Sequence, residues 1–187
     1  ARGVHFNVSH SHGMALVAVA SAEVGIDIER IDATVDCDGV AQTMFSAAET
    51  GMLRSASASQ RGEAFFSIWT RKEAYLKATG LGFSANLPDI STTSPNGAIE
   101  DRGAISGHAW HAFDLPAPAN FKAALVTTTG QYAIEIVDIT GTAPLDFRSN
   151  AGIYAWHRPD GAHGGGLGAL QSAVPAFVPS AEQDSGR

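Results

Sequence analysis

The chain reads as α+β, with a mostly antiparallel sheet packed against one long and one or two short helices. Three observations carry this expectation. Short apolar runs rich in Val, Phe and Ile lie at both ends of residues 4–139, one sustained helical pattern fills residues 63–79, and Gly and Pro punctuate the segments between.

Residues 4–8 and 14–20 are predicted as strands, separated by the polar segment Ser9-His10-Ser11-His12-Gly13 as a turn. Val24 to Ile28 is a third short strand. From Gly39 the spacing of Val40, Met44 and Phe45 turns helical, and Ser46-Ala47-Ala48-Glu49 has the form of a capping box, so a second helix begins there and ends near Ser55. Ser55 to Gln60 is small and polar, a loop. Over 63–79 the large side chains Phe65, Phe66, Trp69 and Leu76 gather about one helical face, and Gly80 suits the left-handed residue that closes such a helix. Three more strands are predicted near 105–114, 120–128 and 131–139, joined by Pro-rich or Thr-Gly turns. From about Gly141 to Arg187 the composition shifts to Gly, Pro, Ala and Ser with no Lys, the signature of a flexible tail.

Composition narrows the function classes. With 187 residues and 44% apolar content, one core and one active site are expected. Nineteen acidic against 12 basic residues, and a pI near 5.4, leave no basic face for nucleic acid. The single Cys37 fits a reducing compartment, and no apolar run approaches the length that spans a bilayer, so the expectation is a cytoplasmic protein with no membrane partner. The chain starts with Ala1, and Phe6 already lies in a strand-like run, so its beginning is expected to be a cut.

Chemistry concentrates in three segments. In Val24-Gly25-Ile26-Asp27-Ile28-Glu29-Arg30, strand alternation sends Val24, Ile26 and Ile28 to one face and Asp27 and Glu29 together to the other. That face is either an ordinary solvated one or a place where two carboxylates converge on a hard cation such as Mg2+. In Trp69-Thr70-Arg71-Lys72-Glu73-Ala74-Tyr75-Leu76-Lys77, Glu73 and Lys77 form either a surface ion pair or, respectively, a third acidic ligand and a phosphate contact; Lys72 is placed with Lys77 facing phosphate oxygens. In Asn7-Val8-Ser9-His10-Ser11-His12, the hydroxyls and imidazoles form either a polar turn or an anion site. His108 and His111 lack a metal-ligand spacing.

The order of these blocks, Phe6-Asn7-Val8-Ser9-His10-Ser11, then Val24-Gly25-Ile26-Asp27-Ile28-Glu29, then Phe66-Ser67-Ile68-Trp69 leading into Lys72-Glu73-Ala74-Tyr75-Leu76-Lys77-Ala78-Thr79-Gly80, resembles the 4'-phosphopantetheinyl transferases of the larger, surfactin-synthetase-activating (Sfp) type. The resemblance implies transfer of the 4'-phosphopantetheine arm of coenzyme A to a serine of an apo acyl or peptidyl carrier protein of fatty acid, polyketide or nonribosomal peptide synthesis. It implies Mg2+ held by Asp27, Glu29 and Glu73, with Glu73 as base and Lys77 acting on the leaving phosphate. Ser9, His10, Lys72 and Lys77 would hold coenzyme A, and adenosine 3',5'-bisphosphate would be released. It covers residues 5–139, the end of the first of two similar halves and all of the second. Residues 1–140 are therefore expected to be a transferase domain whose N-terminal half is largely missing, with the edge near residues 4–20 exposed, and 141–187 a tail. Two other readings are a catalytically silent half-domain that binds only carrier or coenzyme A, and a magnesium–nucleotide binding domain.

Overall fold

His12 and Gly13 both take left-handed backbone angles (φ +46° and +83°), the combination that turns a chain back on itself within two residues. They join β1 (His5–Ser11) to β2 (Met14–Ala20) with Ser11 paired to Met14. The turn is thus only those two residues. Ser9, His10 and Ser11, expected to lie in it, belong to the strand, and this fixes the side on which each points.

The computed structural model describes residues 3–103, 108–128, 136–138 and 152–157. After the hairpin come β3 (Val24–Arg30), α1 (Cys37–Met44), α2 (Ala47–Ser55) and α3 (Arg61–Thr79). Then follow the short strands β4 (Ile90–Ser91) and β5 (Glu100–Asp101), the strands β6 (His111–Leu115) and β7 (Phe121–Thr127), and finally β8 (Ile136–Asp138) and β9 (Gly152–His157). The expected class is present: mostly antiparallel sheets with one long and two short helices. Asp36 caps α1, the Ser46/Glu49 capping box opens α2 as predicted, and Gly80 closes α3 at φ +68°.

The strands fall into sheets ordered β1-β2-β9-β8 and β3-β7-β6, with β4-β5 as a separate ribbon. Alternation along β2 and β3 turns Met14, Leu16, Ala18 and Ala20 toward Val24, Ile26 and Ile28, which forms the core between the two larger sheets. On the other side of the second sheet, Ala124 and Val126 of β7 pack against Ala74, Tyr75 and Leu76 of α3. Both faces of β7 are covered, so its run Ala123–Thr127 is buried throughout. A third cluster, with Phe45, Phe65 and Phe66, ties α1 and α2 to the start of α3.

The last predicted strand is described over Ile136–Asp138 as β8, which pairs in parallel with β9 in the first sheet. One expectation changes. Gly152–His157, expected within the tail, is strand β9, paired along β2 from Met14↔His157 to Val19↔Gly152. The unbroken apolar run Ile153-Tyr154-Ala155-Trp156 carried that signal, but the Gly-rich composition around it obscured it. The rest of the expected tail, and residues 105–107, 131–135 and 139 of the predicted strands, lie outside the described residues. The outer face of β1 is apolar and open, with Val4, Phe6 and Val8 exposed. Among the described residues no helix is long and apolar enough to cross a membrane.

Candidate active site

The site begins with a missing side chain. On β3, Gly25, Asp27 and Glu29 face away from Ile26 and Ile28, toward α3. A Cβ on Gly25 would stand 2.0 Å from the carbonyl oxygen of Ala74 and 2.5 Å from the amide nitrogen of Ala78, so only glycine lets α3 lie directly on the strand. Glu73 and Lys77, the helix neighbours of those two alanines, are thereby lowered onto Asp27. The face that the sequence left open between solvent and cation site is roofed at Asp27, which is 2% exposed.

Lys77 reaches Asp27 Oδ1 at 2.7 Å, Ser9 Oγ at 3.0 Å and the carbonyl of Ile26 at 3.2 Å, so its three N–H donors each have a partner. Asp27 Oδ2 is buried and has no hydrogen-bond partner, a costly state for a carboxylate oxygen. Among the described residues Lys77 pairs with Asp27 and not with Glu73, which removes the surface ion pair as an account of the Glu73/Lys77 spacing. Burial, and then the nearby charge of Asp27, push the Glu73 carboxyl above the ordinary range despite Lys77. Burial likewise raises Glu29, against a hydrogen bond from Ser11.

Of the residues expected at coenzyme A, Lys72 and Ser9 have other partners, and His10 stays exposed. Lys72 lies one residue, about 100°, around α3 from Glu73 and so points elsewhere. It is 1% exposed, paired with Glu49 at 2.8 Å, and donates to the carbonyls of Leu87 and Ile90. No donor is left for a phosphate. Ser9 is 6% exposed and spends its hydroxyl on Asp27, Lys77 and the amide of Ile28. His10, by alternation, stands on the exposed face of β1, away from Ser9 and Ser11. The sequence reading also missed Gly25 and Ser11 as parts of the site. An N-x-S-x-S run facing D-x-E is the signal that could have shown the latter.

A family model described as the 4'-phosphopantetheinyl transferase superfamily matches residues 23–137. The chain belongs to that superfamily. Among its relatives, 4'-phosphopantetheinyl transferase HetI of Nostoc sp. is 38% identical over 124 residues, which is 66% of this chain and 51% of the relative. 4'-Phosphopantetheinyl transferase Sfp of Bacillus subtilis is 32% identical over 87 residues, 46% of this chain and 38% of the relative. The chain thus spans about half the length, or less, of these curated relatives. A crystal structure of a holo-(acyl-carrier-protein) synthase from Bacillus anthracis in complex with CoA (3',5'-ADP) aligns with TM-score 0.47 and 22% identity, over 56% of this chain and 93% of that one.

The acidic groups of this superfamily member suit the divalent cation that the resemblance implies. The donors are carboxylate oxygens, which suit a hard cation, and the partnerless Asp27 Oδ2 is an acceptor still to be satisfied. Among the described residues no three acidic, His or Cys side chains already stand as a converged ligand set. Lys77 holds the other oxygen of Asp27, as an internal cation does.

The raised carboxyls set a pH dependence. A carboxyl with a higher pKa folded than unfolded binds more protons in the native state, so stability falls as pH rises from the ordinary glutamate value of 4.5 through the raised value, and returns as pH falls. In metal-free buffer, Glu73→Gln is therefore expected to raise Tm at pH 7 by a few degrees and to flatten the gain seen on acidification, as followed by circular dichroism. An unchanged or lowered Tm at pH 7 would show that the ionised Glu73 carries no such cost.

Proposed function

We propose that this chain transfers the 4'-phosphopantetheine arm of coenzyme A to a serine hydroxyl of an apo acyl or peptidyl carrier protein. The reaction is Mg2+-dependent and releases adenosine 3',5'-bisphosphate. The observation that carries this reading is the buried Asp27, one oxygen on Lys77 and the other without a partner, beneath the helix that bears Glu73. Superfamily membership supports the same chemistry.

In this reading Asp27, Glu29 and Glu73 hold the Mg2+. The cation, when bound, neutralises the charge on the pyrophosphate of coenzyme A. Glu73, whose carboxyl is already kept from ionising easily, takes the proton of the carrier serine as its oxygen attacks the β-phosphorus. The bond from that phosphorus to the bridging oxygen breaks, and the electron pair leaves with adenosine 3',5'-bisphosphate. Lys77 is partly exposed and can trade Asp27 for the leaving phosphate, which it stabilises or protonates. His10 remains on the open face of β1 to meet the outlying 3'-phosphate. Lys72 and Ser9 are not assigned to coenzyme A.

Incubation with coenzyme A, Mg2+ and an apo carrier protein, read by intact mass, is expected to add one phosphopantetheine group to the carrier. EDTA should abolish the gain, and Glu73→Gln should lower the rate by about 10²-fold or more, the range typical of a lost general base. A full gain by Glu73→Gln in EDTA would overturn the reading.

A further inference from the structure

β1 and β3 meet along a seam that main-chain pairing does not close. Asn7, Ser9 and Ser11 recur at every second residue of β1, so all three side chains fall on one side of it. Their oxygens accept from the amides of Ile26 (3.1 Å), Ile28 (3.3 Å) and Arg30 (3.2 Å), every second residue of β3. Side chains replace the carbonyls of a neighbouring strand, rung for rung.

The two serines do something that Asn7 does not. Ser9 Oγ donates to Asp27 Oδ1 at 2.8 Å, and Ser11 Oγ donates to Glu29 Oε2 at 2.9 Å. Each hydroxyl thus spans one carboxylate and the amide of the next residue. A hydroxyl has one proton and two lone pairs. On Ser9 all three are used, because the oxygen also accepts from Lys77, so the direction of its proton toward Asp27 is forced. With Oδ1 pinned in this way, the partnerless Oδ2 is the oxygen of Asp27 left to take a ligand.

We propose that Ser9 and Ser11 are positioning residues for the cation site, each fixing the orientation of the carboxylate beside it. The β1–β2 hairpin then contributes no ligand but sets where two ligands stand. This inference rests on the metal reading of Asp27, Glu29 and Glu73 above. Asn7 supplies an internal control, a rung of the same seam that touches no carboxylate.

The test is Mn2+ affinity of the full chain, measured by electron paramagnetic resonance with Mn2+ as the only added metal, beside the Tm of each variant without metal. Ser9→Ala and Ser11→Ala are each expected to weaken Mn2+ binding by about 10-fold or more, as loss of a ligand-orienting group does. Ser9→Thr and Ser11→Thr, which keep the hydroxyl on a strand-compatible side chain, should stay within about 3-fold of wild type, well inside that range. Asn7→Ala should lower Tm and leave Mn2+ affinity unchanged. Serine variants that lose Tm but bind Mn2+ like wild type would overturn the proposal, reducing the serines to rungs like Asn7. Should the alanine variants fail to fold, the threonine variants decide: folded chains with the hydroxyl restored but Mn2+ affinity lost equally count against it. A wild-type chain that takes up no Mn2+ would overturn the metal reading itself, and the proposal with it.

Discussion

Gly25→Ala is expected to cost about 3 kcal/mol or more in urea unfolding and to remove Mn2+ uptake in the protein that remains folded. The methyl group would sit 2.0 Å from Ala74 O and 2.5 Å from Ala78 N, both backbone atoms of α3 that no rotamer change can move. The helix would have to lift off β3, carrying Glu73 and Lys77 away from Asp27, so stability and site should fail together. Gly51→Ala is the contrasting case. Gly51 lies inside α2, its Cβ would meet nothing within 4 Å, and relief of glycine's entropy cost there should stabilise the chain by about 0.5–1 kcal/mol. A Gly25→Ala chain that unfolds at the wild-type urea concentration would show that strand and helix do not meet at this position.

The second large effect belongs to Lys72. Its amine is held below the ordinary lysine range by burial, and Glu49 works against that by supplying the counter-charge. Glu49 is itself 0% exposed: one oxygen takes Lys72 and the Ser46 amide of the capping box, and the other takes the amide and hydroxyl of Thr92. Lys72→Ala would leave a buried carboxylate without its counter-ion, which typically costs about 3–5 kcal/mol. Lys122, whose pair with Glu63 is in reach of water, should lose no more than about 1 kcal/mol on replacement by alanine. The comparison also separates structure from coenzyme A binding. A Lys72→Met chain that kept wild-type stability but raised the KM for coenzyme A would put that lysine back at the phosphates.

The buried acidic groups are costly to the fold, and that cost links the site to stability. Asp27 Oδ2 lacks a partner, and Glu29 and Glu73 are held above the usual carboxylate range, chiefly by burial. Each is a cost to the fold that a bound cation would remove. Lys77 answers only one oxygen of the group.

How far the residues alone could lead is clearest element by element. Alternation in 24–29 was enough to put Asp27 and Glu29 on one face, and the capping box at Ser46 and the left-handed Gly80 marked helix boundaries, because those signals are local: each depends on spacing or on one residue's backbone freedom. The order of the blocks also carried the family. The sequence could not say that Asp27 would be roofed, because that depends on the close approach of Gly25 to Ala74 and Ala78, about fifty residues away along the chain. Nor could it part Lys72 from Lys77: both are lysines on one helix, and only the packing of Glu49 against α3 decides that the first is buried structure and the second faces the acidic site. Ser9 changed for the same reason. A hydroxyl read as a phosphate contact became a seam and a clamp once β3 was laid beside β1, since the partner of a side chain is fixed by what the fold brings within 3 Å of it.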